Sequence, residues 1–151
     1  MKKFKKILSA IICVAILLTV AGATVFAASS TYKKGFRGDS SYSSGTVSVG
    51  TNEDISLSSS CKVTIDPDTT SRSITYYVAI KKSTWYGSKV VAKSSVDKSW
   101  GNTSSSSTSV KTCSQSCSYT TGSSSKDYFV YAKVSGSSSA YYNYFTLTLS
   151  Y

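Results

Sequence analysis

Catalysis near neutral pH needs groups that can give, take or share electrons, and this chain is short of them. It contains no histidine. A Ser-His-Asp or Cys-His arrangement is therefore excluded. Seven carboxylates are spread along the 151 residues. A pair for glycoside hydrolysis would have to come from Glu53, Asp54, Asp66, Asp68, Asp97 or Asp127. Most of these stand beside turn residues, where nothing argues for a raised pKa. The pattern points away from an enzyme and calls for no cofactor. Asp66 and Asp68 flank Pro67 and could offer oxygens to calcium, but two carboxylates are few for that ion. A solvated turn is the simpler reading.

Three cysteines, Cys61, Cys113 and Cys117, lie beyond the first 27 residues. With no histidine, and a C-x3-C spacing plus one distant cysteine, they do not match a zinc site. In an exported chain they can pair. Cys113 and Cys117 would bridge if Ser114-Gln115-Ser116 folds back and sets them across a hairpin neck. On one straight strand they would stand about 13 Å apart and could not. A bridge from Cys61 to either is the rival. Alone, Cys61 reads as a small buried hydrophobe, because it shares its parity with Ile55, Leu57, Val63 and Ile65.

Binding chemistry is better supplied. Trp85, Tyr86 and Trp100 fall in predicted loops, where rings can stack on sugars; the alternative is that they fill the core. Lys81, Lys82, Lys89 and Lys93 cluster around the Trp85 turn. Such a patch attracts anionic partners, and it also serves plain solubility. For an exported protein the partners are wall polymers, polysaccharides or anionic lipids rather than nucleic acid. Tyr142 and Tyr144 share one face of the last strand and predict an exposed aromatic ladder. Arg37-Gly38-Asp39 is the tripeptide that integrins recognise, a match short enough to arise by chance.

The elements that position these residues begin with a leader. Lys2, Lys3, Lys5 and Lys6 precede an apolar run over 7–20 and the cleavage pattern Val25-Phe26-Ala27. This predicts a secretory signal peptide over 1–27; an uncleaved anchor is the alternative, since the run approaches the length of a span. No second run of that length follows, so no stable membrane insertion is expected after cleavage. The protein is expected to be secreted, free or associated with the wall. Removing the leader takes 4 of the 17 basic residues, leaving 13 against 7 acidic ones, a charge of about +6.

Residues 28–44 are polar and read as an arm or a leader strand, ahead of a domain over 45–151. There, apolar residues alternate through 54–66 and 73–82, and again in 126–134 and 140–150. The pair within 126–151 reads as a C-terminal hairpin around a Gly/Ser loop. A short edge strand is expected over 88–94, a loop over 96–107, and turns at the serine runs, including 58–60. With 12 tyrosines, one proline and no helical periodicity, the chain predicts an all-β fold. Its form is a single antiparallel β-sandwich of about seven to nine strands, immunoglobulin-like or jelly-roll.

The run Lys126-Asp127-Tyr128-Phe129-Val130-Tyr131-Ala132-Lys133-Val134, followed by Tyr144-Phe145-Thr146-Leu147-Thr148-Leu149, resembles the closing strands of bacterial pre-peptidase C-terminal modules. Lys126-Asp127 replaces the Gly-Thr of that family, and Ile74-Thr75-Tyr76-Tyr77 stands where it has an acidic strand. The resemblance implies a non-catalytic sandwich carried by a secreted protein, and it transfers no site residue. Tyr141-Tyr142-Asn143-Tyr144 and the basic, aromatic composition also resemble lactococcin-type bacteriocins. The expected function is thus a secreted, non-enzymatic module that binds the cell envelope or a glycan. An antibacterial protein and a self-assembling exoprotein are the alternatives.

Overall fold

Alternating apolar residues can bury one face only if a second layer covers it. In the computed structural model two sheets cover each other. It describes residues 28–67, 72–100, 108–137 and 141–151. The expected leader over 1–27, Asp68 and the stretch 101–107 lie outside the described residues. Among the described residues there are nine strands: β1 (Ser29–Arg37), β2 (Ser40–Ser43), β3 (Val47–Val49), β4 (Asp54–Ile65), β5 (Arg72–Thr84), β6 (Gly87–Trp100), β7 (Ser109–Thr120), β8 (Lys126–Ser135) and β9 (Tyr141–Ser150).

All pairings are antiparallel, and they nest. β1 pairs with β9, β2 and β3 with β8, β4 with β7, and β5 with β6. First therefore meets last, as in one long hairpin. Two further ladders, β4 with β9 and β5 with β8, roll that hairpin into two sheets. One has the order β1-β9-β4-β7, and the other β2-β8-β5-β6 with β3 also on β8. This nested winding is a jelly roll, with β2 and β3 as one interrupted strand. It settles the choice between the two expected sandwich topologies.

The core follows from side-chain parity, since successive strand residues point to opposite faces. Ile55, Leu57, Cys61, Val63 and Ile65 on β4 are buried, as are Phe145, Leu147 and Leu149 on β9. From the other sheet, Ile74, Tyr76, Val78 and Ile80 on β5 meet them, with Tyr128, Val130, Ala132 and Val134 on β8. Phe145 is the centre. It stacks on Tyr76 at 5.4 Å and takes the edge of Phe36 at 4.9 Å. Among the described residues no helix is long and apolar enough to cross a membrane.

Several expectations are corrected. The C-terminal pair is not a hairpin: β8 and β9 belong to different sheets. Each buries a whole face and has partners on both sides, so each takes an interior place in its own sheet. The polar stretch 28–44 is no arm; it supplies β1 and β2, with Tyr32, Phe36 and Tyr42 packed on the core. Residues 96–100 continue β6 opposite β5 instead of forming a loop. Ser58-Ser59-Ser60 lies mid-strand in β4.

Cys113 and Cys117 occupy one continuous strand, β7, so the proposed bridge between them cannot close. The register instead sets Cys113 directly opposite Cys61. All three thiols are free, and Cys61 and Cys113 are buried. The Arg37-Gly38-Asp39 tripeptide forms a corner. Arg37 Nη1 is 2.8 Å from Asp66 Oδ2, the Ser137 N–H donates to Asp39 Oδ1, and buried Asn143 donates to the Gly38 carbonyl. Its side chains are engaged by the fold itself.

Burial, with Cys113 beside it, pushes the Cys61 thiol from 9.0 up to about 12, against a backbone hydrogen bond from Tyr144. A raised folded pKa means the native state keeps a proton that the unfolded chain releases. This contribution is intact below about pH 9 and is lost as pH rises toward about 12, at about 1.4 kcal/mol per unit. Under reducing conditions, Cys61→Val removes that contribution. Urea denaturation should show the variant losing less stability than wild type between neutral and strongly alkaline pH; equal losses would contradict the buried, protonated thiol.

Candidate functional site

β5 and β6 form a long hairpin, and its ladder continues past the last β5–β8 pair. The β5–β8 ladder ends at Lys82↔Tyr128. The last two rungs, Ser83↔Ser88 and Thr84↔Gly87, have no ladder partner on β8, although Lys126 at the start of β8 lies beside them. Trp85 and Tyr86 are the two-residue apex. Such loops favour Asn-Gly or Asp-Gly, because the backbone must reverse with φ above zero. Here Asn52 is the only non-glycine with positive φ among the described residues, and Gly87, at φ 124°, follows the apex. Gly87 thus takes the conformation that a side chain would strain, and leaves the apex to two large rings.

Those rings touch little of the protein. Trp85 is 91% exposed and Tyr86 95% exposed. They pack edge to face, with centroids 6.5 Å apart and planes at 72°. Lys82 and Lys89 face each other across the hairpin just behind them. Lys126, at the start of β8, joins Lys82, Ser83, Thr84 and Trp85 around a shallow hollow of about 470 Å³. Among the described residues these three lysines make no ion pair. The tip therefore offers apolar ring surface inside a collar of positive charge.

The structure gathers some of the expected site residues and separates others. Trp85, Tyr86, Lys82 and Lys89 come together at the tip. Lys81 lies beside them in sequence but points to the outer sheet face, where its Nζ sits 3.8 Å over the Tyr131 ring. Lys93 stands opposite Ala79, further along β6. Trp100 is at the far end of the same strand, opposite Arg72 and roughly 40 Å from the tip at the usual rise per residue. It cannot share a ligand with Trp85, and its side chain lies outside what the structure describes. Lys126 was missed, because only the β5–β8 pairing brings it to the hairpin. Tyr142 and Tyr144 are 41% and 39% exposed, though the Tyr142 ring lies against Gly35.

A second surface was hidden in the serine runs. On the outer face of the β1-β9-β4-β7 sheet, Thr31, Thr148, Ser58 and Ser116 fall in one cross-strand row. Thr146, Ser60 and Ser114 form the next row. These rows border a shallow hollow of about 530 Å³. It is lined by hydroxyls and the Gln115 amide, with no charged side chain and no ring among them. Among the described residues no cluster of three or more Cys, Asp or Glu could hold a metal ion.

Comparison with known proteins adds little to this geometry. No family model matches the chain, and no curated protein matches it. The fold is similar to a chain in the structure of the Gx strain of infectious bursal disease virus, with a TM-score of 0.43 at 9% identity, covering 82% of this chain and 30% of that one. A chain of the same virus's VP2 subviral particle gives 0.40 at 13% identity, covering 81% and 32%. This chain spans about a third of the length of those proteins. The jelly-roll assignment rests on the nested strand pairing instead.

The tip rings and Gly87 should separate cleanly in stability measurements. Trp85→Ala touches an exposed side chain and should move chemical denaturation by no more than about 0.5 kcal/mol. A Cβ at position 87 meets no atom within 4 Å. Gly87→Val should nevertheless cost about 1–3 kcal/mol through backbone strain alone. A large loss in Trp85→Ala would mean that the ring serves the fold.

Proposed function

We propose that this protein is a non-enzymatic β-sandwich module that docks on a negatively charged surface of the cell envelope through the β5–β6 tip. One observation carries the reading: two aromatic rings, almost fully exposed, stand at a hairpin apex with lysines behind them. Folding does not account for them, since they bury almost nothing. Local turn preference does not either, because small residues suit that apex better. Residues that break a local rule without a gain in stability are candidates for function. Trp and Tyr bring large, rigid contact area with a polar handle. The unpaired lysines steer the tip toward anionic surfaces and set a salt dependence.

The rest of the chain is consistent with this role. The absence of histidine excludes a Ser-His-Asp or Cys-His arrangement. The leader expected from 1–27 would deliver the domain to the envelope. Exposed lysines and a bulge opposite Ile80–Lys81 discourage β6 from pairing with a second copy.

Co-sedimentation with purified cell envelopes tests the proposal. Wild type should bind at low salt and keep part of that binding at high salt. Trp85→Ala and Tyr86→Ala should each weaken it by at least about 1 kcal/mol, roughly fivefold in Kd. Binding by the double variant as tight as wild type would rule out the tip.

A further inference from the structure

We infer that the surface met by the tip is an anionic phospholipid bilayer, with the Trp85 and Tyr86 rings at headgroup level and a lipid phosphate held between Lys82 and Lys126. This rests on the docking role proposed for the same tip and names its partner.

The arrangement of the rings favours a bilayer over a glycan chain. A sugar polymer stacks on a ring face, and successive sugars need faces that are roughly coplanar or line a cleft. The Trp85 and Tyr86 planes meet at 72°. They share no face, and they stand on a convex end rather than in a groove. A convex pair of amphipathic rings suits an interface that can deform around it. Trp and Tyr concentrate at membrane–water boundaries because the ring body prefers the apolar side while N–H or O–H stays with the headgroups.

The charges stand where that depth would need them. The hollow lined by Lys82, Ser83, Thr84, Trp85 and Lys126 opens beside the indole. It brings two ammonium groups and two hydroxyls to one place, enough to donate several hydrogen bonds to a phosphate. Lys89 adds a third positive charge across the hairpin. Their alkyl stems can lie along the interface while the ammonium groups stay with the phosphates. Lys81 does not contribute, because it is held over Tyr131. Two rings and three lysines make a reversible contact and not a membrane span. Anchoring by so small an apolar area depends on anionic lipid.

Vesicle flotation tests the inference, with phosphatidylglycerol in phosphatidylcholine compared with pure phosphatidylcholine, and with purified wall polymer as a separate arm. The full domain should float with the anionic vesicles and hardly with the neutral ones. Removing both rings, Trp85→Ala with Tyr86→Ala, should reduce binding by tenfold or more, on the order expected for anchoring aromatics. Lys82→Gln and Lys126→Gln should each reduce it roughly fivefold and flatten its salt dependence. All four positions border solvent, and matching thermal melts would show that each variant is folded. Binding to wall polymer with no flotation would overturn the bilayer inference and leave the docking role standing. Binding to neither would overturn both. Flotation of the double aromatic variant at wild-type level would overturn the seating of the rings and leave charge alone.

Discussion

The stack of Phe145 on Tyr76 joins the two sheets, and the rest of the fold is arranged around it. Phe145 sits mid-strand on β9, opposite Lys34 on β1 and Cys61 on β4. Tyr76 sits on β5, opposite Val134 on β8 and Val96 on β6. Through these registers one ring contact lies within two ladders on each side. An aromatic pair contributes about 0.5–1.5 kcal/mol beyond its buried area. Its larger effect is on register. A slip of β9 by one residue would turn Phe145, Leu147 and Leu149 to solvent and Thr146 and Thr148 inward. The sheet would then have no face to bury, so the stack and the parity enforce each other.

Rigidity reaches the tip by the same route. β5 is held in the middle of its sheet, between β8 and β6. The hairpin can therefore hold its apex rings in solvent without needing contacts of its own there. The division of labour is visible in single residues. Gly87 takes the backbone strain, the ladder supplies the stiffness, and Trp85 and Tyr86 are left free of any structural duty. On the opposite sheet the middle of the outward face carries hydroxyls, with Lys62, Tyr142 and Tyr144 toward one end, while the β5–β6 hairpin carries lysine and aromatic rings to its tip. The molecule thus presents unlike faces from one core.

Parity made the core legible before any coordinates. The inward sets on β4, β5, β8 and β9 follow from alternation alone, because the period of two is a local property. The same logic located the Trp85 turn. What alternation cannot carry is long-range pairing. It could not show that β8 and β9 lie in different sheets, since two adjacent strands with a turn between them look alike in a hairpin and in an arch. Nor could it reveal that Cys113 faces Cys61, or that Lys126 joins the tip. The serines at 58–60 misled for a different reason. Serine is common in turns, yet Ser58 and Ser60 here cover the solvent side of a central strand, and Ser59 donates to the Gln115 carbonyl. Trp85 and Trp100 looked like one site because they are only fifteen residues apart, whereas an extended strand turns that separation into distance.

If the tip docks as proposed, Trp85 itself enters the bound surface. Tryptophan fluorescence of the Trp100→Phe protein, in which Trp85 is the only indole beyond the expected leader, tests it most directly. Adding envelope membranes should shift the emission to the blue and protect it from acrylamide quenching, since the ring leaves water for an interface. Emission and quenching that stay unchanged while the protein co-sediments would place the contact elsewhere and contradict the account.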